Sequence, residues 1–202
     1  MKKISFIILV FILTRFALAD SPITSTDFYK AYSEIDLVKE AKSSGVMSLK
    51  IAEYLSSPSN SIDKKAAVIN ALSWKFEGKS NAELYSYYLA LNQGQLLKNL
   101  DIDLLQADEI FCLGYLTVMD DYFHPEKAFL LLEKAKNNLK NSFTASMILA
   151  LAKAQKAMDS DWCTVWKLTE EVLHNESLDQ DLRPEARKII IDYMSLYESE
   201  CK

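Results

Sequence analysis

The sequence predicts a single all-helical domain, and three features of the chain support that fold class. Apolar residues recur three and four positions apart along most of the chain, which is the spacing of an amphipathic helix. The 202 residues are 50% hydrophobic and include only 4 Gly and 4 Pro, so the chain is neither disordered nor collagen-like. Three segments repeat a helix–turn–helix pattern, which predicts helices paired as hairpins.

Residues 1–19 have the composition of a secretory signal. Two lysines precede an apolar run, and Ala17-Leu18-Ala19 forms a cleavage sequence of the A-x-A type. The run is too short to cross a membrane, and the cleavage site is not followed by a cysteine that would carry a lipid anchor. The sequence therefore predicts cleavage between Ala19 and Asp20, a mature domain at 20–202 without a membrane span, and a periplasmic or secreted location.

The predicted mature chain is acidic. Loss of Lys2, Lys3 and Arg15 leaves 20 of the 23 basic residues against all 28 acidic residues, and the net charge changes from −5 to −8. The basic residues are scattered among acidic ones, so nucleic acid is not a predicted partner. A solvated surface explains the acidity, and a face that docks a basic partner explains it as well.

Two helices are predicted before residue 60. The first is capped by Thr26 or Asp27 and ends at Gly45, and the second spans 47–55 before the polar connection 56–60. The apolar face of the first helix comprises Phe28, Tyr32, Ile35 and Val38.

The next predicted hairpin contains more aromatic residues than a helix pair needs. Its first helix spans 61–77, and Ser80-Asn81-Ala82-Glu83 predicts a capping box that opens the second helix. Because Tyr87 and Tyr88 cannot both face the seam that Tyr85 fills, at least one tyrosine ring should be exposed and able to bind a protein. The aromatic residues of this hairpin are Trp74, Phe76, Tyr85, Tyr87 and Tyr88.

The clearest hairpin lies at 104–135. A break at 120–124 separates two periodic apolar segments, and Pro125 suits the first turn of the second helix, where a backbone N–H would be unbonded anyway. Gly114 lets the two helices approach closely because it has no side chain. Five residues form the predicted seam: Leu113, Gly114, Ala128, Leu132 and Ala135.

These seam residues resemble the tetratricopeptide and Sel-one-like repeat superfamily. Leu113-Gly114 stands where the family has Leu-Gly, and Ile110 replaces the usual tryptophan. Ala128, Leu132 and Ala135 stand where the family has alanine, a large residue and alanine. The resemblance implies stacked helical hairpins that bind a protein or peptide on their concave face.

Related patterns flank this hairpin at spacings of about 40 residues. Leu72-Ser73-Trp74 aligns with Leu113-Gly114-Tyr115, and the apolar residues of 145–152 and 165–172 align with the two helices. Hairpins that each leave an apolar face should stack into a short right-handed solenoid, capped by a final helix at 184–197. The alternative architecture is an irregular helical bundle.

The sequence offers little support for catalysis. Glu171 and His174 give one E-x-x-H spacing, whereas carboxylate-bridged di-iron sites need two. Glu176-Ser177 is similar to the Glu-Ser of soluble lytic transglycosylases, but no glycine-rich segment follows it. Acid pairs suited in principle to glycoside cleavage are Asp120-Asp121, Glu170-Glu171, and Glu198 with Glu200. The sequence predicts no catalytic residue, metal ligand or cofactor.

Three cysteines in an exported chain predict one disulfide and one free thiol. Cys112 lies in an apolar stretch and is predicted to be the buried thiol. Cys163 lies near the start of one helix and Cys201 follows the end of the next, so antiparallel packing would bring their sulfur atoms together. The alternatives are an intermolecular bridge through Cys201 or free thiols.

These features predict a non-enzymatic periplasmic protein that binds another protein or a peptide. The partner would be an envelope protein or a basic toxin. The toxin alternative describes an immunity protein that neutralises a cell-wall-targeting toxin through its acidic surface. A peptidoglycan enzyme that uses Glu176 is the further alternative.

Overall fold

The computed structural model describes residues 21–96 and 100–201, and the predicted signal peptide at 1–19 lies outside these ranges. The described residues form nine α-helices and no β-strand, which confirms the predicted all-helical class. In chain order the helices are α1 (Asp36–Ser44), α2 (Leu49–Ser56), α3 (Ile62–Leu72), α4 (Asn81–Asn92), α5 (Ala107–Asp120), α6 (Phe129–Asn138), α7 (Phe143–Ala157), α8 (Trp162–Leu173) and α9 (Pro184–Met194). Within those ranges, no helix combines the length and apolar character needed to cross a bilayer.

The N-terminal segment does not form the predicted long helix. Phe28–Tyr32 is a 3-10 turn, and α1 begins only after it. The Asn70 side chain on α3 accepts from the Tyr29 N–H at 2.9 Å and donates to the Thr26 carbonyl at 3.1 Å. That carbonyl also accepts from the Phe28 N–H at 2.7 Å, and the Lys30 N–H donates to the Asp27 carbonyl, so the backbone forms a tight turn here and not an α-helix. Gly45 ends α1 with a φ of 63°, as predicted.

The predicted helix at 61–77 is too long. The observed α3 ends at Leu72, so Trp74 and Phe76 lie in the following loop. α3 packs mainly against α1 and α5 and does not pair with α4 as a hairpin. The alignment of Leu72-Ser73-Trp74 with Leu113-Gly114-Tyr115 is therefore wrong, because the first triplet ends a helix and the second lies inside one.

The start of α4 is stabilised by a residue from another helix. Ser80 makes no side-chain capping bond, so the predicted capping box is wrong. In its place the Asp120 carboxylate, at the end of α5, accepts from the Ala82 N–H at 2.7 Å. A capping box does occur at the start of α5, where the Gln106 N–H donates to the Glu109 carboxylate at 3.0 Å.

The predicted hairpin of α5 and α6 is present, and α7 and α8 form a second one. A 3-10 turn at Pro125–Ala128 precedes α6. Packing of α6 against α7 joins the two hairpins. The predicted seam is buried at every position, namely Leu113, Gly114, Ala128, Leu132 and Ala135.

Replacing Gly114 with leucine is expected to lower the free energy of unfolding by about 1–3 kcal/mol. A Cβ atom at this position would lie 3.0 Å from Leu132 Cγ and 3.1 Å from Leu131 Cβ, so a larger side chain must displace α6. Urea unfolding measures the loss in stability. Leu130→Ala is the control, because Leu130 lies on α6 but is 78% exposed. A Gly114→Leu variant as stable as the unaltered protein would show that this close approach does not matter.

The C-terminal helix packs on the N-terminal segment as well as on the last hairpin. α9 contacts Phe28–Tyr32, and the Arg183 guanidinium donates to the Ala31 carbonyl at 2.8 Å. The Arg183 N–H also donates to the Tyr32 hydroxyl at 3.2 Å. The predicted helix at 184–197 is α-helical only as far as Met194. Its role therefore differs from the prediction, because it covers residues from the other end of the chain.

Cys163 and Cys201 lie at disulfide distance, as the sequence predicts. Their sulfur atoms are 2.15 Å apart and their Cα atoms 4.7 Å apart. The bond joins the first turn of α8 to the end of the 3-10 turn Ser195–Glu200, which packs on α8. Cys112 is fully buried, and burial raises the pKa of its thiol, which keeps it in the unreactive protonated form.

Candidate functional site

Two exposed phenylalanines from different loops lie side by side. Phe76, in the loop between α3 and α4, is 71% exposed, and Phe123, after α5, is 51% exposed. Their ring centroids are 5.5 Å apart and the rings meet edge to face at 86°. The two rings therefore form an exposed apolar patch.

Two further aromatic residues support this pair from below. Tyr122 is 3% exposed, and its ring centroid lies 4.3 Å from that of Phe123 and 4.9 Å from that of Trp74. Trp74 is partly buried against the core. We call Trp74, Phe76, Tyr122 and Phe123 the aromatic surface.

Backbone contacts hold the first loop against the end of α5. The Lys79 N–H donates to the Asp120 carbonyl at 3.1 Å, and Gly78 has a φ of +83°. A Cβ atom on Gly78 would lie 3.2 Å from the Asp120 carbonyl oxygen, so a glycine suits both the backbone conformation and the close approach. The Lys79 ammonium donates to the carbonyls of Gly45 and Leu72, which ties the loop to the ends of α1 and α3.

A cavity of about 320 Å³ lies at this junction and is lined by residues of both loops. Asp120 is in its lining and is only 8% exposed. Burial raises the pKa of this carboxyl to about 6, although the bond from Ala82 and the charge of Lys79 both oppose the shift. Asp120 Oδ1 and the Tyr122 hydroxyl are buried and have no hydrogen-bond partner among the described residues. The site therefore combines exposed rings with unsatisfied polar atoms.

The three tyrosines that the sequence predicts as a binding site differ in their exposure to solvent. Tyr85 is fully buried, and its hydroxyl lies 3.0 Å from Ser56 Oγ, so this part of the prediction is wrong. Tyr88 is half-buried and stacks on Tyr85 with ring centroids 6.3 Å apart. Tyr87 is 44% exposed on the outer face of α4, so the prediction of at least one exposed ring is confirmed. Tyr85 faces inward because it fills the space between α4 and its neighbours.

The acid pairs do not form one arrangement. Asp120 faces the buried junction, whereas Asp121 is partly exposed and accepts from Lys127 at 2.7 Å and from the His124 ring at 2.9 Å. Glu171 lines a separate cavity of about 170 Å³ between α6, α7 and α8. His174 and Glu176 are exposed. The described ranges contain no group of three histidine, cysteine or carboxylate side chains arranged to hold a metal ion.

The sequence points to Trp74 and Phe76 as surplus aromatic residues but does not single out Tyr122 or Phe123. The sequence places Tyr122 and Phe123 in the break at 120–124 between two helices, and Asp120 in an acid pair. Two adjacent aromatic residues in a polar loop were the available signal, because loops rarely need large apolar side chains for their own packing. The pairing of Phe76 with Phe123 could not be found in this way, since it depends on how the loops meet.

Comparison with known proteins finds no matching family model, no similar curated protein and no similar solved structure.

Proposed function

We propose that the protein binds another protein through the aromatic surface and has no enzymatic activity. The observation that carries this proposal is the pair Phe76 and Phe123, which are 71% and 51% exposed. The buried Tyr122 packs beneath Phe123. Large aromatic side chains supply much of the binding energy at protein interfaces because they bury wide areas at small entropic cost.

We also propose that the helices form a short solenoid of the tetratricopeptide or Sel-one-like type. The hairpins of α5 with α6 and α7 with α8, joined by α6 against α7, support it. α3 and α4 do not pair closely, so in the first part of the fold an irregular bundle describes the helices better than a solenoid does.

The N-terminal segment of the chain is one reason to propose that the partner binds the loops and not the concave face. In a solenoid of this type the first helices of the hairpins, here α5 and α7, would form the concave face, and α3 packs beside α5. Asn70 on α3 bonds both the segment and Tyr115 on α5, and Gln155 on α7 bonds Ser21. Residues 21–32 thus already occupy surface that a peptide would need. The aromatic surface lies in loops instead.

The proposed location is the periplasm. A disulfide between Cys163 and Cys201 is compatible with an oxidising compartment outside the cytoplasm. The net charge of −8 expected for residues 20–202 favours a basic partner, so an immunity protein that blocks a basic cell-wall-targeting toxin is the second candidate. Binding by such a protein should weaken as salt concentration rises.

Affinity capture with paired variants tests the proposal. Tagged mature protein should recover a partner from periplasmic extract, and Phe76→Ser combined with Phe123→Ser should reduce that recovery at least about tenfold. The matched control combines Leu130→Ser with Leu196→Ser, because these leucines are 78% and 64% exposed and belong neither to the aromatic surface nor to the lining of the cavity. Equal recovery by both double variants would overturn the assignment of binding to the aromatic surface.

A further inference from the structure

The cavity beside the aromatic surface contains a carboxylate that is only half satisfied. Asp120 Oδ2 accepts from the Ala82 N–H at 2.7 Å, while Oδ1 has no donor among the described residues. A buried anion without a full set of partners opposes folding. Proteins break such rules mainly at functional sites, so Asp120 indicates a missing partner rather than a structural role alone.

The charged groups around the cavity do not supply that partner. The Lys79 ammonium is bonded to the carbonyls of Gly45 and Leu72 and does not donate to Asp120 Oδ1. Asp121 is already paired with His124 and Lys127. The remaining charged residues of the lining are Lys75 and Glu77, whose opposite charges offset each other. The charge of Lys79 favours the ionised form of Asp120, but Asp120 Oδ1 still has no donor among the described residues.

The rest of the lining favours a cation as the missing partner. Phe76, Tyr122 and Phe123 all line the cavity, and the faces of aromatic rings attract cations that come within about 6 Å of their centres. Asp120 is largely covered from solvent, so a cation in the cavity would balance its charge through Coulomb attraction and would not donate to Oδ1. Lysine and arginine side chains match both halves of this lining, because each has an apolar stem and a charged end.

We propose that the cavity binds the cationic end of a lysine or arginine side chain of the partner protein, with Asp120 as counter-charge. The stem of that side chain lies against Phe76 and Phe123. This inference rests on the proposed function, since the side chain belongs to the protein that docks on the aromatic surface. The acidity of the chain is consistent with a partner that carries such residues.

Small cations test the cavity without a known partner. Butylguanidinium and butylammonium are titrated into the mature protein, and binding is followed by the amide NMR shifts of Lys79 and Ala82. Both cations should bind saturably in the millimolar range, as expected for one charge pair and a few ring contacts. Butylurea, which has a similar shape but no charge, should leave these shifts unchanged.

The role of Asp120 is tested by one variant and by pH. Asp120→Asn keeps an acceptor for the Ala82 N–H, so α4 stays capped, yet binding of both cations should weaken at least about tenfold. Asp192→Asn is the matched control, because Asp192 is exposed on α9 and pairs only with a surface lysine. In the unaltered protein, cation binding should weaken as pH falls below about 6, where Asp120 takes up a proton.

The outcomes separate this inference from the proposed function. Binding of butylurea as tight as that of the cations, or cation binding independent of pH, would overturn the cation site even if Asp120→Asn failed to fold. Loss of partner capture on changing Phe76 and Phe123, without any cation binding, would overturn only this inference. Asp120-dependent cation binding with unaffected capture would instead overturn the proposed function.

Discussion

Replacing Asp108 with alanine is expected to lower the free energy of unfolding by about 3–5 kcal/mol. Asp108 in the first turn of α5 pairs with Lys65 of α3, whose side chain is completely buried. The change would leave the Lys65 ammonium inside the core without a counter-charge. Burial of an unpaired charge is among the most destabilising single changes, since neither water nor a partner then solvates the ion.

Two variants separate this effect from the loss of any surface carboxylate. Asp103→Ala removes a carboxylate that is 83% exposed and pairs with Lys134, so it should change the free energy of unfolding by less than about 1 kcal/mol. Lys65→Met removes the buried charge and keeps a similar volume, so it should cost less than Asp108→Ala. Urea unfolding followed by circular dichroism gives all three values. Similar losses for Asp108→Ala and Asp103→Ala would show that the buried pair is not important for stability.

The parts of the fold that could be predicted from the sequence depend on neighbours close in the chain. The hairpin of α5 and α6 follows from apolar spacing, and Gly114 is needed where a Cβ atom would lie 3.0 Å from Leu132. Gly45 ends α1 through its own backbone freedom. Such signals are local, so one sequence is enough to interpret them.

The errors occur where a distant side chain determines the backbone. Asn70 bonds Tyr29, which is 41 positions away, and Asp120 caps α4 from a distance of 38 positions. Neither partner can be inferred from the residues next to the affected turn, because the geometry exists only once α3, α4 and α5 have packed. The predicted helix at 26–45 and the capping box at Ser80 were wrong for this reason.

The candidate site could not be predicted from the sequence for the same reason. Trp74 and Phe76 are predicted to lie in the helix at 61–77, whereas that helix ends at Leu72 and both residues lie in the following loop. Phe76 becomes part of a surface patch only through its contact with Phe123, which lies on a loop more than 40 residues later. A contact surface built from two loops has no periodicity, and a single sequence does not reveal which loops meet.

Removing the disulfide by changing both Cys163 and Cys201 to serine is expected to lower the free energy of unfolding by about 3–4 kcal/mol. The two positions are separated by 38 residues, and the bond restricts the unfolded chain by closing that loop. The bond also joins α8 to Ser195–Glu200, so hydrogen exchange should increase first in that C-terminal turn.

A reductant provides the control for this prediction. Unfolding of the unaltered protein in urea with a reductant should match that of the double variant, which itself should not respond to the reductant. Cys112 is buried and does not take part in the bond, so Cys112→Ala should remain as sensitive to the reductant as the unaltered protein. If the reductant left the unaltered protein equally stable, the bond between Cys163 and Cys201 would either be absent in solution or contribute nothing to stability.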